Sequence, residues 1–299
     1  MDWQELPGVY LDAAGDLPAP DPADYDLLLT TAPAPPAPWV AIRDPHTTLR
    51  RLLAARRQAP QAWDLLARLL RRTEGLCPEA ALEMESLAFA TLQSGAAFRD
   101  WLRRRPPAPR PGPAPLREIW RESDVRLILD DPATRNALSA ACRDALCGAL
   151  DSCLSDPRAL PVRLQGNGAM FSSGGALAEF GQAQDFVAAH LIRMERSVAR
   201  RLHLLGPRAV AELQGPAIGA GIEMAAACAR LTMTRSAWVQ LPELAMGLIP
   251  GAGGTVFIPH RIGRHRAFYL MTAGVRLRAD EALAWGLTDA LTERAGNGD

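Results

Sequence analysis

The sequence predicts an α/β fold preceded by a helical region, and three observations carry that reading. Beyond residue 115, short apolar runs alternate with helical repeats and glycine marks the crossings, the pattern of a covered, mostly parallel sheet. Between residues 46 and 105, apolar residues recur at helical spacing without such runs. Residues 106–115 separate the two parts; six of these ten positions are proline, an extended and semi-rigid composition that marks a boundary.

Each element follows in order. Residues 1–45 form a proline-rich acidic segment whose one apolar run, Leu27-Leu28-Leu29, is a strand candidate. In the helical region Leu49, Leu52, Leu53 and Arg56 repeat at i, i+3, i+4 and i+7, and Leu65, Leu66, Leu69 and Leu70 form a second stripe. Met84, Leu87 and Ala88 open a third, which runs to Trp101-Leu102. The arginines of these helices are expected on a solvated face. Residues 116–299 form the predicted core. It holds strands at Val125–Leu129, Pro161–Gln165 and Ala209–Leu213, and helices at Ser139–Leu154, Ala183–Leu205 and Ala220–Ala229.

Composition narrows the chemistry. All 33 basic side chains are arginine and none is lysine. A Schiff-base lysine is therefore excluded, as are the lysine of a GxxxxGK[ST] phosphate loop and that of a kinase fold. Any anion must be met by arginine or by backbone amides. Acids also number 33, so the zero net charge gives nucleic-acid binding no support. The charge is uneven: residues 1–45 carry eight acids and one arginine, whereas residues 46–112 carry twelve arginines and six acids. The longest uncharged stretch, Leu244 to His260, is broken by prolines and glycines and reads as no membrane span. The start of the chain lacks the basic and apolar regions of a signal peptide. Five cysteines form no CxxC pair, and five histidines lack ligand spacing. The expectation is a cytoplasmic protein with free thiols and no metal site.

Three glycine-containing segments stand out: Phe171 to Leu177, Gly215 to Glu223, and Leu241 to Thr255. None is a dinucleotide fingerprint or a GxSxG elbow. A glycine turn entering a helix presents free N–H groups in the positive field of the dipole, and two such turns face to face would make an oxyanion hole. Glu223 falls in the first turn of the helix expected from Ala220, and Glu243 lies in a Pro-Glu step before an apolar loop. Carboxyls in apolar surroundings have raised pKa values suited to proton transfer near neutral pH. From spacing alone the pair reads equally as a helix-end charge and a capping residue.

These segments resemble the enoyl-CoA hydratase/isomerase (crotonase) superfamily, from Asp131-Pro132-Ala133-Thr134-Arg135-Asn136-Ala137-Leu138 to Trp285-Gly286-Leu287-Thr288-Asp289. The stretch from Pro242-Glu243 to Gly253-Gly254-Thr255 resembles its hydratases almost letter for letter. The resemblance implies a crotonase-like ββα spiral core. It further implies an oxyanion hole from the amides of Gly175 and Ala220, with Glu223 and Glu243 activating water and moving protons. CoA, carried as part of the substrate and not as a resident cofactor, would lie along Arg135, Asn136, Ala137, Leu138, Ser172, Ser173, Gly174, Ala176, Gly219, Gly251 and Gly253. The implied reaction is syn-hydration of a 2-enoyl-CoA. Isomerisation, ring-opening or hydrolysis of a CoA thioester, or an assembly role with weak catalysis, stays open. The implied partners are an acyl-CoA and further copies of the chain in a trimer or hexamer, with no nucleic acid and no membrane.

Two departures are local. The family's Ala-Asp after its Ser-Ala-Gly turn is replaced at Gly175-Ala176, and Ala220 stands where glycine is common. A third concerns order. Thr47 to Arg72 and Glu79 to Pro107 resemble helices found at the family's C-terminal end. The expectation is a permuted order, joined through residues 106–115, with Arg103 to Arg105 as weak candidates for an anchor to the CoA phosphates.

Overall fold

The computed structural model describes residues 3–16, 20–112 and 115–293; Pro113 of the predicted linker and the outer ends of the first and last predicted segments lie outside the described residues. The N-terminal part gives β1 (Val9–Asp12), β2 (Leu27–Thr30), β3 (Val40–Ala41), α1 (Pro45–Gln58), α2 (Pro60–Thr73), α3 (Pro78–Gln93) and α4 (Ala96–Arg104). Then come β4 (Leu116–Trp120), β5 (Val125–Leu129), α5 (Ala140–Ser155), β6 (Val162–Gly166), α6 (Phe186–Glu195), α7 (Val198–Leu204) and β7 (Ala209–Leu213). The remainder is β8 (Ala217–Ile218), α8 (Ala220–Ala226), β9 (Arg230–Thr234), β10 (Trp238–Gln240), α9 (Gly254–Ile262), α10 (Arg264–Ala273), β11 (Leu277–Arg278), α11 (Ala279–Trp285) and β12 (Ala290–Thr292).

The predicted α/β class holds. A six-stranded sheet runs β12-β9-β7-β6-β5-β4, parallel throughout except for the antiparallel β4–β5 pair. Strands β5, β6, β7 and β9 are buried along most of their length, as a sheet covered on both faces requires. A smaller sheet, β11-β10-β8, carries the second glycine turn. Some helices start at a side-chain cap. Asp44 accepts from the amides of His46 and Thr47 ahead of α1, and Ser139 from that of Cys142 in α5, each satisfying an otherwise orphaned donor.

Three expectations need correction. The single helix expected over Ala183–Leu205 is two helices, because Arg196 leaves helical geometry and the Ser197 hydroxyl starts α7 by accepting from the Arg200 amide. The third apolar stripe is partly misplaced: Ala88 is buried and Met84 packs on the core, but Leu87 is 50% exposed, and α3 also buries Ala81, Leu82, Glu85, Ser86 and Leu92. The first 45 residues hold a three-stranded parallel sheet, β1-β2-β3, where one strand was expected. Arginines of α10 secure that sheet. Arg264 donates to the carbonyls of Tyr25 and Pro22, both at 2.6 Å, and Arg266 to that of Trp39 at 3.1 Å.

Helices α1 and α2 pack on α10, and α3 crosses α6 and α9. The Trp63 ring of α2 meets Phe268 of α10 edge-on at 5.1 Å. One continuous apolar core therefore joins the N-terminal helices to the sheet. It holds α3 directly over the start of α9.

Candidate active site

The glycine turns meet. Ser172 bridges to Ala217, and the Ile218 amide donates to the Ser172 carbonyl at 3.0 Å. Gly174 has φ +91° and would place a Cβ 2.8 Å from the Ile218 carbonyl oxygen, so only glycine fits this crossing. The next residue, Gly175, is held by pairing of its loop with Leu138. Among the described residues, no protein group accepts from the amides of Gly175 or Ala220, and both residues line a cavity of about 250 Å³. Ala220 is the first residue of α8, so its amide points out of the helix N-terminus.

Two glutamates stand on the same wall. Glu223, 2% exposed, lies in the first turn of α8. Its Oε2 accepts from the amides of Ala252 at 2.7 Å and Gly254 at 2.9 Å, and no protein donor reaches its Oε1 among the described residues. Glu243 opens a short 3-10 turn, Glu243–Met246, after Pro242. Its Oε2 is buried without a hydrogen-bond partner among the described residues. Burial pushes the Glu243 carboxyl up to about 8, with the neighbouring Glu85 charge adding to the effect. Burial also holds Glu223 well above the usual carboxylate range, reinforced by the charges of Glu243 and Glu85. Burial thus holds both carboxyls against ionisation, and the Glu243 charge adds to the effect on Glu223.

Glu85 went unread in the sequence. It reaches the cavity from α3, 2% exposed, with Oε1 accepting from the Gly253 amide at 2.7 Å. Its Oε2 accepts from the Thr255 amide at 2.8 Å and the Thr255 hydroxyl at 2.7 Å. Burial raises its carboxyl to about 7 against the lowering effect of these donors and of Arg193. Arg193 of α6 donates to the Ser86 hydroxyl at 3.0 Å and to Gln93 Oε1 at 3.0 Å, with its guanidinium 4.9 Å from the Phe89 ring centre.

Of the residues read from the sequence, Glu223, Glu243, Gly175, Ala220, Leu138, Gly251 and Gly253 line the cavity. Arg135, Asn136, Ala137, Ser172, Ser173, Gly174, Ala176 and Gly219 do not; they adjoin Leu138, Gly175 and Ala220 in sequence. Several have structural occupations there. Asn136 Nδ2 donates to the carbonyls of Asn167 at 2.8 Å, Met170 at 2.9 Å and Phe171 at 3.2 Å. The Ser172 hydroxyl donates to the Asn136 carbonyl at 2.7 Å and that of Ser173 to the Thr134 carbonyl at 2.8 Å. Arg135 is exposed. Arg103 pairs with Asp100, Arg104 donates to the Asp100 carbonyl at 3.1 Å and Arg105 donates to the Leu177 carbonyl. Arg143 and Arg196, by contrast, line the cavity. Among the described residues no group of three His, Cys, Asp or Glu side chains has metal-holding geometry, and no helix is long and apolar enough to cross a membrane.

Residues 122–295 match the profile of the Enoyl-CoA hydratase/isomerase family. The chain is 33% identical over 178 residues to a peroxisomal bifunctional enzyme of Danio rerio, covering 59% of this chain and 24% of that protein. It is 32% identical over 170 residues to the 2,3-dehydroadipyl-CoA hydratase of Escherichia coli (strain K12), covering 56% of this chain and 66% of that one. The crystal structure of an enoyl-CoA hydratase from Mycobacterium avium subsp. paratuberculosis K-10 is similar with a TM-score of 0.53 at 29% identity, over 60% of this chain and 68% of that one. An enoyl-CoA hydratase from Bacillus anthracis gives 0.55 at 29% identity, over 60% and 70%. The chain thus spans between 24% and 66% of the length of these two curated relatives, and α1 to α4 lie outside the profile match. That match takes in both glycine turns, both glutamates of the sequence reading and more than half of the 299 residues, so the chain belongs to the enoyl-CoA hydratase/isomerase family and has a crotonase fold.

Proposed function

We propose that this protein acts on an acyl-CoA thioester and that its reaction is syn-hydration of a 2-enoyl-CoA. The observation that carries the reading is the convergence of two unclaimed amides and two buried glutamates on one cavity wall. The amides of Gly175 and Ala220 would receive the thioester carbonyl oxygen and stabilise the charge that develops on it. Water adds its oxygen to the β-carbon and gives one proton to the ionised member of the Glu223/Glu243 pair. The protonated member supplies a proton to the α-carbon, so the pair returns to one shared proton. We assign α-carbon protonation to Glu243, whose Oε2 is free of competing donors. With no lysine in the chain, the CoA phosphates have arginine for a counterion, and we assign that role to Arg143 and Arg196, which line the cavity.

In the same reading, α1 to α4 do the work of the helices that close the family's site. Support comes from Leu82, Glu85, Ser86 and Phe89 of α3, all of which reach the cavity.

The test is loss of the conjugated thioester absorbance with short, medium and aromatic enoyl-CoAs. Hydration predicts turnover that collapses in both Glu223→Gln and Glu243→Gln. Turnover that survives Glu223→Gln indicates isomerase-type chemistry on Glu243 alone. No turnover with any acyl-CoA overturns the enzymatic reading in favour of an assembly role.

A further inference from the structure

The turn before α9 is shared between two carboxylates from distant parts of the chain. Its successive amides alternate: Ala252 donates to Glu223, Gly253 to Glu85, Gly254 to Glu223 and Thr255 to Glu85, all within 2.9 Å. Two negative groups at one helix N-terminus are favourable singly. Held side by side, each also opposes the ionisation of the other. The Thr255 hydroxyl gives Glu85 a third donor, so the α3 carboxylate is the more fully solvated of the two by protein groups. Glu223 keeps one oxygen without a protein donor, in a residue that lines the cavity.

We propose that Glu85 is a positioning residue of the site: it clamps the turn whose remaining amides orient Glu223, and it places a negative charge behind the Glu223/Glu243 pair. The charged and titratable groups facing it are Arg193 from α6, Glu223 from α8 and Glu243. His190 of α6 reaches the adjacent Ser86 hydroxyl at 2.9 Å. Helix α9 presents amides and the Thr255 hydroxyl, and no hydrogen bond or ion pair of α2 or α4 among the described residues reaches Glu85. A neutral, isosteric side chain at 85 would leave the cavity's shape almost unchanged. It would remove the charge that opposes ionisation of the pair, and one face of the amide group would meet a backbone donor it cannot accept.

This inference builds on the proposed hydration for its kinetic readout alone. The experiment compares the full chain with Glu85→Gln and Glu85→Asp, following glutamate carboxyl ¹³C shifts from pH 5 to 10. Glu223→Gln and Glu243→Gln assign the signals. The expected result is that Glu85→Gln lowers the titration midpoints of Glu223 and Glu243 by about one unit, while Glu85→Asp keeps them near those of the parent. Amide exchange at Ala252 and Gly254 accelerates in Glu85→Gln. In the enoyl-CoA assay kcat falls about tenfold with KM changed less than about twofold. If Glu85→Gln does not fold, Thr255→Val removes one donor to Glu85; its midpoint then rises and those of the pair fall. Midpoints that stay in place in the folded variants overturn the proposal and reduce Glu85 to packing. An inactive parent protein overturns hydration and leaves the carboxyl titration to decide on Glu85.

Discussion

The α-carbon of Gly219 lies against the carboxyl group of Glu243: a methyl built on it would stand 2.5 Å from Oε1. Gly219 also adopts φ 49° and ψ −124°, a conformation essentially reserved for glycine. Gly219→Ala therefore combines backbone strain with displacement of a glutamate whose position matters. The expected outcome is a loss of about 1–3 kcal/mol of stability and a fall of about a hundredfold in turnover from misplacement of the acid. Urea unfolding and the enoyl-CoA assay measure the two effects separately.

Glu243 also makes stability depend on pH in an unusual direction. Its carboxyl titrates at about 8 in the folded protein against an ordinary value of 4.5. Between those values the folded chain keeps a proton that the unfolded chain has released, so this group's contribution weakens as pH rises through the window. Glu243→Gln cannot ionise and escapes the loss. Its unfolding free energy relative to the parent should be unchanged near pH 4.5 and climb toward pH 8, by up to about 1.4 kcal/mol per pH unit, with the thermal midpoint rising in the same sense. Calorimetry at pH 5, 7 and 9 checks this; a constant offset contradicts it.

Asn136 ties together the carbonyls of Asn167, Met170 and Phe171, and its Oδ1 accepts from the Asp131 amide at 3.0 Å. Its φ of 60° suits asparagine better than most residues. Asn136→Ala leaves the buried Asp131 amide and Phe171 carbonyl without this partner, at a cost of about 3 kcal/mol. Chemical denaturation should show the midpoint shift at an unchanged denaturant slope.

Arg264 donates through three nitrogens, to Glu74, Tyr25 and Pro22. Arg264→Lys keeps the charge but cannot reproduce the planar fork. It should destabilise by about 2 kcal/mol, with hydrogen exchange rising first in β1 to β3. Uniform acceleration across the sheet would count against this role.

Glu223 and Glu243 were singled out by the family resemblance of the segments that carry them, since spacing alone read equally as a helix-end charge and a capping residue; the donors to Glu223 lie 29 and 31 residues away. Strands β5, β6 and β7 were legible because apolar runs between turn residues have few other fates. Glu85 was not. A glutamate between Met84 and Ser86 reads as a solvated helix position, and its donors lie 168 and 170 residues away. One signal was present: Ala81, Leu82, Ala88 and Leu92 form the buried stripe, and Glu85 sits inside it. The break between α6 and α7 was also marked, since Ser197 is a helix-starting residue in an otherwise helical run. The β1-β2-β3 sheet escaped because parallel pairing leaves no hairpin signature, and its cover, α10, comes more than two hundred residues later.

The alternating amides of the Ala252–Thr255 turn bear on the order in which the protein is made. Helix α3 leaves the ribosome well before the turn that receives Glu85, so its carboxylate spends most of synthesis without those donors. In water it is ionised at no penalty, which keeps the exposed underside of α3 soluble during that interval. Dehydration of all three carboxyls therefore waits until residue 255 has been synthesised, when the four amides of the turn are all present.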